Sequence, residues 1–226
     1  MRNTIILIIV AFVGTLAVSV GILLFMSPDF QGFGAESHRD SIITYLTDEP
    51  GVPAGNGDTT YNWKDHPVFI VGDSLTQGAR SDIQKTIGDA TIDAKVSRNM
   101  AAGVSILKDW EATGIITDDA IIVVCLAHNI TNTTIKDAQE VVAMIKPGQS
   151  LIMMTGHGLS DMEPVNEYLR GLPEVYSYIT VADWDMTVAQ SPALLADDGI
   201  HISKRQGQEL YATLIERALE VSRPMQ

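Results

Sequence analysis

The sequence has little basic charge, and this lack excludes one large class of partners. Its 226 residues include 15 lysines and arginines against 28 aspartates and glutamates, a formal net charge of −13. Nucleic-acid binding relies on a surplus of basic side chains that neutralise phosphates, so no nucleic-acid partner is expected. Because 46% of the residues are hydrophobic and only 19% are charged, the composition also excludes an intrinsically disordered chain.

Cysteine is nearly absent as well. The single cysteine, Cys125, cannot form a disulfide within the chain, and it lies in the apolar run Ile121–Leu126. A buried structural thiol is therefore expected there. The histidines show no spacing typical of a metal site, and no glycine-rich phosphate loop is present. Neither a metal nor a cofactor is expected.

Charge is missing altogether from the 23 residues Thr4–Met26. As a helix this run is about 34 Å long, enough to cross a bilayer, whereas a cleaved signal peptide has a shorter apolar region of about 7 to 15 residues. We therefore predict an uncleaved signal anchor at residues 1–27, with a signal cleaved near Phe33–Glu36 as the alternative. Arg2 before the run and Asp29 after it favour a C-terminal bulk outside the cytoplasm.

Two further segments follow the anchor. Residues 28–63 are polar and rich in glycine and proline, which is typical of a linker. Residues 64–226 have the length of one domain.

Within that domain, short apolar runs alternate with helical patterns. The predicted strands are Val68–Val71, Thr91–Val96, Ala120–Leu126, Leu151–Thr155 and Ile179–Ala182. The predicted helices are Ser81–Ile87, Ala101–Glu111, Thr134–Ile145, Pro164–Leu172 and Lys204–Val221. We expect a capping box of Ser203 and Gln206 to start the last helix. Repeated strand-helix units predict a three-layer α/β/α domain with a parallel sheet, whose ligands bind beyond the carboxyl ends of the strands.

A serine follows the first predicted strand directly. The segment VGDSLTQGA, Val71–Ala79, puts Ser74 in the turn after that strand, and Gly72 is expected to let the chain turn tightly. Alternatively, Asp73 and Ser74 only cap the next helix. On this segment alone, the two interpretations are equally supported.

A DGIH segment before the last helix puts Asp198 three residues from His201. A serine hydroxyl becomes a good nucleophile when a base removes its proton, and that base works best when a carboxylate orients it. Ser74, His201 and Asp198 are therefore candidate catalytic residues. The alternatives are a surface histidine near a helix start and a solvated carboxylate.

These residues resemble the sequence blocks of the SGNH, or GDSL, hydrolases. The first block appears as GDSL at Gly72–Leu75, the last block, DxxH, as Asp198 and His201, and the third block, GxN, as Ala127-His128-Asn129. More narrowly, the domain is similar to the extracytoplasmic SGNH domain of bacterial peptidoglycan O-acetyltransferases. That closer resemblance rests on the segments Ile92–Met100, Ala182–Asp185 and Asp197–Ser203.

The resemblance implies a flavodoxin-like parallel sheet and assigns roles to site residues. Ser74 would be the nucleophile, His201 the base and Asp198 its partner. The oxyanion hole would combine the Ser74 N–H, a backbone N–H near Ser97 and the Asn129 side-chain amide.

Three further residues bear on the substrate. His128 and His157 are candidate substrate-lining residues, although a plain loop role is the favoured alternative for His157. Ala127 departs from the glycine of the family's third block, and its methyl group is expected to shift Asn129 or to narrow the pocket.

The function implied is that of a membrane-anchored extracytoplasmic serine esterase or acyltransferase. Its substrate would be an O-acylated small molecule or cell-wall glycan, with acetyl as the expected acyl group. Residues 4–26 would hold it in the membrane, and a separate membrane protein would be a candidate acyl donor. Transfer to water and transfer to a sugar hydroxyl remain alternatives. A different class of function, motivated by Ala127, is a catalytically decayed SGNH domain acting as a tethered glycan-binding or scaffolding module.

Overall fold

The computed structural model describes residues 61–158 and 160–226 of the chain. The predicted anchor at residues 4–26 and most of the predicted linker lie outside these residues. Within the described ranges, no helix has the length and hydropathy needed to cross a membrane. A short 3-10 helix, Trp63–Asp65, precedes the first strand, and Trp63 is buried. Packing against the domain therefore already begins inside the segment predicted as linker.

Five parallel strands form one sheet. They are β1 Val68–Gly72, β2 Ala90–Ala94, β3 Ile121–Cys125, β4 Ser150–Met154 and β5 Ile179–Ala182. Their order is β2-β1-β3-β4-β5, and every neighbouring pair is parallel. This is the flavodoxin-like order, so the predicted fold class is confirmed for the described domain. All five residues of β1, β3 and β4 are buried, as expected for strands with helices on both faces.

Helices cover the two faces of the sheet. They are α1 Ser74–Gly78, α2 Arg80–Ile87, α3 Met100–Ala112, α4 Thr134–Met144, α5 Glu163–Val175, α6 Trp184–Ala189 and α7 Arg205–Val221. Helices α3, α4 and α5 contribute Val104, Val141 and Leu169 to one hydrophobic cluster with the strands. Helices α2 and α7 pack on each other, over the face to which the alternate strand residues Ile70 and Val123 point.

The structure corrects the predicted start of the last helix. Helix α7 begins at Arg205, and its N-cap residue, Lys204, makes no side-chain capping bond. Ser203 instead donates its hydroxyl to the carbonyl oxygens of Leu194 and Leu195. An antiparallel bridge between Leu195 and Ile202 brings these carbonyls alongside the serine. The capping box is therefore wrong because the hydroxyl has acceptors on the preceding turn.

Gly72 is required for a different reason from the one predicted. Its φ angle is not positive, so the turn does not need the special backbone freedom of glycine. A Cβ atom at this position would lie 2.2 Å from Thr76 Oγ1 and 2.3 Å from Thr76 Cβ. Gly72 therefore allows α1 to pack closely against the end of β1.

Replacing Gly72 with alanine should destabilise the domain, because the added methyl group overlaps Thr76. We expect Gly72→Ala to lower the free energy of unfolding by about 1 to 3 kcal/mol, measured by urea denaturation.

Gly78→Ala is the matched control, because a Cβ at Gly78 meets no atom within 4 Å. This variant should be as stable as the parent chain, or more stable by up to about 1 kcal/mol. Equal effects of the two substitutions would contradict the steric explanation.

Candidate active site

The turn after β1 places the candidate nucleophile. Asp73 is the N-cap of α1, and its Oδ1 accepts the N–H of Leu75 at 3.0 Å. The capping interpretation is therefore confirmed for Asp73. The Ser74 hydroxyl has a different partner, because Ser74 Oγ lies 3.1 Å from Nε2 of His201. One turn thus contains both a cap and a candidate nucleophile.

The DGIH loop orients His201 through both its backbone and its side chain. Asp198 Oδ1 accepts the N–H groups of Ile200 and His201, each at 2.9 Å, and Oδ2 lies 2.7 Å from His201 Nδ1. Gly199 has a φ of 67°, a left-handed conformation that suits glycine. Because a carboxylate can only accept, Nδ1 carries the hydrogen, and Nε2 is left to accept from Ser74.

The same contacts determine the charge state of Asp198. Hydrogen bonds from the backbone N–H groups of His201 and Ile200, followed by the His201 side chain, lower the pKa of Asp198 to about 2. The carboxylate is therefore ionised at neutral and weakly acidic pH. The side chains of His201 and Asp198 are 52% and 48% exposed, so the pair is open to solvent.

We expect the pKa of Asp198 to stay below its ordinary value of 3.8 in the variant His201→Ala, because the two largest causes are backbone donors that this substitution keeps. Carbon-detected NMR of the labelled carboxyl group would follow the titration. A depressed pKa stabilises the folded loop above about pH 4, and this contribution disappears as the pH falls through about 2. A return to the ordinary value in His201→Ala would contradict the assignment.

Ser97 lies in the loop between β2 and α3. Its φ of 61° is positive, which is uncommon for a residue other than glycine. Arg98 anchors this loop, since its guanidinium donates to the carbonyl oxygens of Gly72 and Asp93 and, at 2.7 Å, to Asp93 Oδ1. The N–H of Ser97 makes no hydrogen bond with the described residues. Among the residues that the structure describes, this backbone donor is therefore available to an acceptor outside the chain.

The third block follows β3. Asn129 is partly buried, and its side chain has no hydrogen-bond partner within the part of the chain that the structure describes. Ala127 is buried in the hydrophobic cluster, so its methyl group packs in the core rather than in a pocket. His128 is only 7% exposed, and its Nδ1 lies 3.3 Å from Asp73 Oδ2. This burial leaves little of the ring for a substrate, and a substrate contact stays a prediction.

His157 lies beyond the end of β4 and pairs with a residue that the sequence does not single out. Its Nδ1 is 2.7 Å from Asp185 Oδ1, and Asp185 Oδ2 accepts from Arg170 Nη2 at 2.7 Å.

Sequence reasoning misses Arg98, Arg170 and the role of Asp185, because their partners are distant or lack a local motif. The only signal for Asp185 is its place in the segment Ala182–Asp185.

The sheet order explains why these residues meet. Strand β1 lies between β2 and β3, so the turns that contain Ser74, Ser97 and Asn129 leave neighbouring carboxyl ends. The hydrogen bond from Ser74 brings His201 and Asp198 to the same edge. In a flavodoxin-like sheet this edge, beside β1 and β3, is where ligands bind.

The chain is similar to one curated protein, YrhL of Bacillus subtilis (strain 168), whose name assigns it provisionally to the peptidoglycan O-acetyltransferases. The identity is 22% over 149 residues. The match covers 66% of this chain and 23% of YrhL, so the chain spans about a quarter of the length of this relative. No family model matches the chain.

Several solved structures share the fold. The C-terminal catalytic domain of Streptococcus pneumoniae peptidoglycan O-acetyltransferase A (OatA), with a methylsulfonyl adduct, has a TM-score of 0.64 and 24% identity, over 71% of this chain and 97% of that domain. A member of the lipolytic G-D-S-L family from Veillonella parvula has a TM-score of 0.54 and 17% identity, over 69% and 97% of the two chains. A carbohydrate esterase family 3 protein from Talaromyces cellulolyticus has a TM-score of 0.51 and 14% identity, over 66% and 94%. The resemblance predicted from the sequence is thus confirmed at the level of the fold, and the described domain has the fold of the SGNH/GDSL hydrolases.

Proposed function

We propose that this chain is a membrane-anchored serine esterase or O-acyltransferase of SGNH type that acts on acetyl groups of cell-wall glycan. The observation that carries the proposal is the hydrogen-bond chain from Ser74 through His201 to Asp198 at the carboxyl edge of the sheet. Two similarities support it, namely the fold shared with the OatA catalytic domain and the provisional name of YrhL. The uncharged run at residues 4–26 would anchor the domain on the extracytoplasmic side of the membrane.

The first half-reaction forms an acyl-enzyme. Ser74 Oγ attacks the ester carbonyl while His201 Nε2 takes the hydroxyl proton, and the ionised Asp198 stabilises the resulting imidazolium. When the tetrahedral intermediate collapses, the C–O bond of the ester breaks and the alcohol leaves with the proton from His201. The acetyl group remains on Ser74.

Three donors would stabilise the oxyanion. The Ser74 N–H is the first of α1 and has no acceptor within the helix. The Ser97 N–H and the Asn129 amide have no acceptor among the described residues. Backbone donors such as the Ser74 and Ser97 N–H groups have positions set by the fold, so they need little rearrangement when the negative charge develops.

The second half-reaction passes the acetyl group to an acceptor. His201 removes a proton from water or from a sugar hydroxyl, whose oxygen attacks the acetyl carbonyl. When the intermediate collapses, the C–O bond to Ser74 breaks and His201 returns the proton to Ser74 Oγ. Since His201 is half-exposed, either acceptor can approach it. The acetyl donor would be an O-acylated small molecule or a separate membrane protein.

Ser74→Ala should abolish turnover of p-nitrophenyl acetate, because it removes the nucleophile. We expect a loss of at least about a thousandfold together with the loss of labelling by a fluorophosphonate probe. Ser105→Ala, at an exposed serine on α3, is the control and should keep full activity. A parent chain without Ser74-dependent turnover or labelling would contradict the proposed function.

Asn129→Ala should lower turnover of the same ester by about 100- to 1000-fold, because it removes one oxyanion donor. Asn132→Ala, at an exposed asparagine in the same loop, serves as the control and should have no effect. If Asn129→Ala lost less than about tenfold, Asn129 would not be an oxyanion donor.

The acceptor is identified by adding a glycan to the reaction. An acetylated glycan product would mean transfer to a sugar hydroxyl, whereas free acetate alone would mean hydrolysis. Mass spectrometry of the glycan separates the two.

A further inference from the structure

The carboxyl edge of the sheet contains a second histidine that is paired with an aspartate. The separation between His157 Nδ1 and Asp185 Oδ1 is 2.7 Å, equal to that between His201 Nδ1 and Asp198 Oδ2. The Asp185 carboxylate can only accept, so Nδ1 of His157 carries the hydrogen and Nε2 is the acceptor of the neutral ring. Nε2 of His201 faces Ser74, but within the described residues Nε2 of His157 has no hydrogen-bond partner. The side chain of His157 is 22% exposed.

Asp185 is itself firmly held. Its Oδ2 accepts from Arg170 Nη2 at 2.7 Å, and its N–H donates to Thr155 Oγ1 at 3.0 Å. Arg170 Nε in turn donates at 2.7 Å to Oδ2 of Asp183, which is buried. Asp185 is therefore held through its backbone by Thr155 and through its carboxylate by Arg170, and it fixes the orientation of the His157 ring.

The backbone beside His157 is equally constrained. Gly156 donates its N–H to Asn166 Oδ1 at 2.9 Å and accepts from Asn166 Nδ2 at 2.7 Å. A Cβ on Gly156 would lie 2.5 Å from the carbonyl oxygen of Ala127, and one on Gly158 would lie 2.5 Å from that of Gly199. Residues 156–158 therefore pack between the third block and the loop that contains His201.

This placement puts His157 at the carboxyl edge of the sheet, after a strand that is not a neighbour of β1 and beside the loop that contains His201. Strand β4 is two positions from β1 in the sheet. Neighbouring strands are about 4.8 Å apart, so the two strand ends are about 10 Å apart. An acetyl group on Ser74 is too small to span this distance, whereas a glycan with several sugar units can.

The charges around His157 indicate which chemical group it binds. Asp185, Asp183 and Glu163 contribute three carboxylates around a single guanidinium, that of Arg170. An anionic substrate group would be repelled by this surplus. A sugar hydroxyl is neutral and can donate to Nε2.

We propose that His157 is a substrate-binding residue whose Nε2 accepts a hydrogen bond from a hydroxyl of the glycan, on a sugar unit next to the one that reacts at Ser74. The proposal rests on the proposed function and adds a specificity for glycan chains over small esters. Asp185 and Arg170 are positioning residues, because they act on the substrate only through His157.

The test measures the affinity of the 226-residue chain for a tetramer of N-acetylglucosamine by isothermal titration calorimetry. We expect His157→Ala to raise the Kd by about three- to tenfold, which corresponds to the net free energy of one hydrogen bond. His157→Gln should recover part of the affinity, because its amide oxygen can accept near the position of Nε2. The control is His66→Ala, which should leave the Kd unchanged. His66 is also paired with an aspartate, Asp119, and is 23% exposed, but it lies before β1.

Turnover of p-nitrophenyl acetate, measured on the same variants, separates this proposal from the proposed function. In His157→Ala it should fall by a smaller factor than the glycan affinity. Equal losses of both would mean that His157 supports the fold or the triad, and they would overturn the proposal. An unchanged Kd in His157→Ala, or a parent chain that does not bind the tetramer, would also overturn the proposal that His157 binds the glycan. Absence of Ser74-dependent ester turnover in the parent chain would instead refute the proposed function.

Discussion

The neighbouring parallel strands end at the same height in the sheet, and the rest of the structure depends on this constraint. Gly72 at the end of β1 pairs with Ala94 of β2 on one side and with Cys125 of β3 on the other. Three chain segments therefore leave the sheet at the same height. The turns that contain Ser74, Ser97 and Asn129 each begin within a few residues of this level. Their proximity thus follows from the register of the sheet.

Polar side chains then hold these turns in place. Arg98 ties the Ser97 loop to the end of β1, and the buried pair of His128 and Asp73 links the third block to the first. Burying polar groups costs free energy unless they are hydrogen-bonded, and Asp73 Oδ2 and His128 Nε2 have no hydrogen-bond partner among the described residues. We therefore interpret the His128–Asp73 pair as a means of positioning, because it joins the turn before Ser74 to the turn that contains Asn129.

Two aspartate-histidine pairs with the same Nδ1–Oδ distance of 2.7 Å have different roles in this interpretation. His201 is half-exposed, and its Nε2 contacts the candidate nucleophile, Ser74. His157 is more buried and is supported through Asp185 by Arg170, and its free nitrogen is available to a substrate. The difference lies in what each loop faces, since both imidazoles are oriented through Nδ1. If His157 binds a glycan as proposed, a rigid acceptor away from Ser74 would distinguish a long substrate from a short one without changing the chemistry proposed at Ser74.

The sequence by itself determined the fold class, the five strands and the three residues Ser74, Asp198 and His201 as candidates. Continuous apolar runs reveal buried parallel strands, and the GDSL and DGIH segments are local patterns that need no partner to be seen. Only the tertiary structure decided the other features. The steric need for Gly72, the acceptors that Ser203 finds outside α7, the burial of His128 and the support of His157 by Arg170 depend on contacts between separate elements. Hydrogen bonding and packing depend on the distances between atoms in space, and the spacing of residues along the chain does not give these distances.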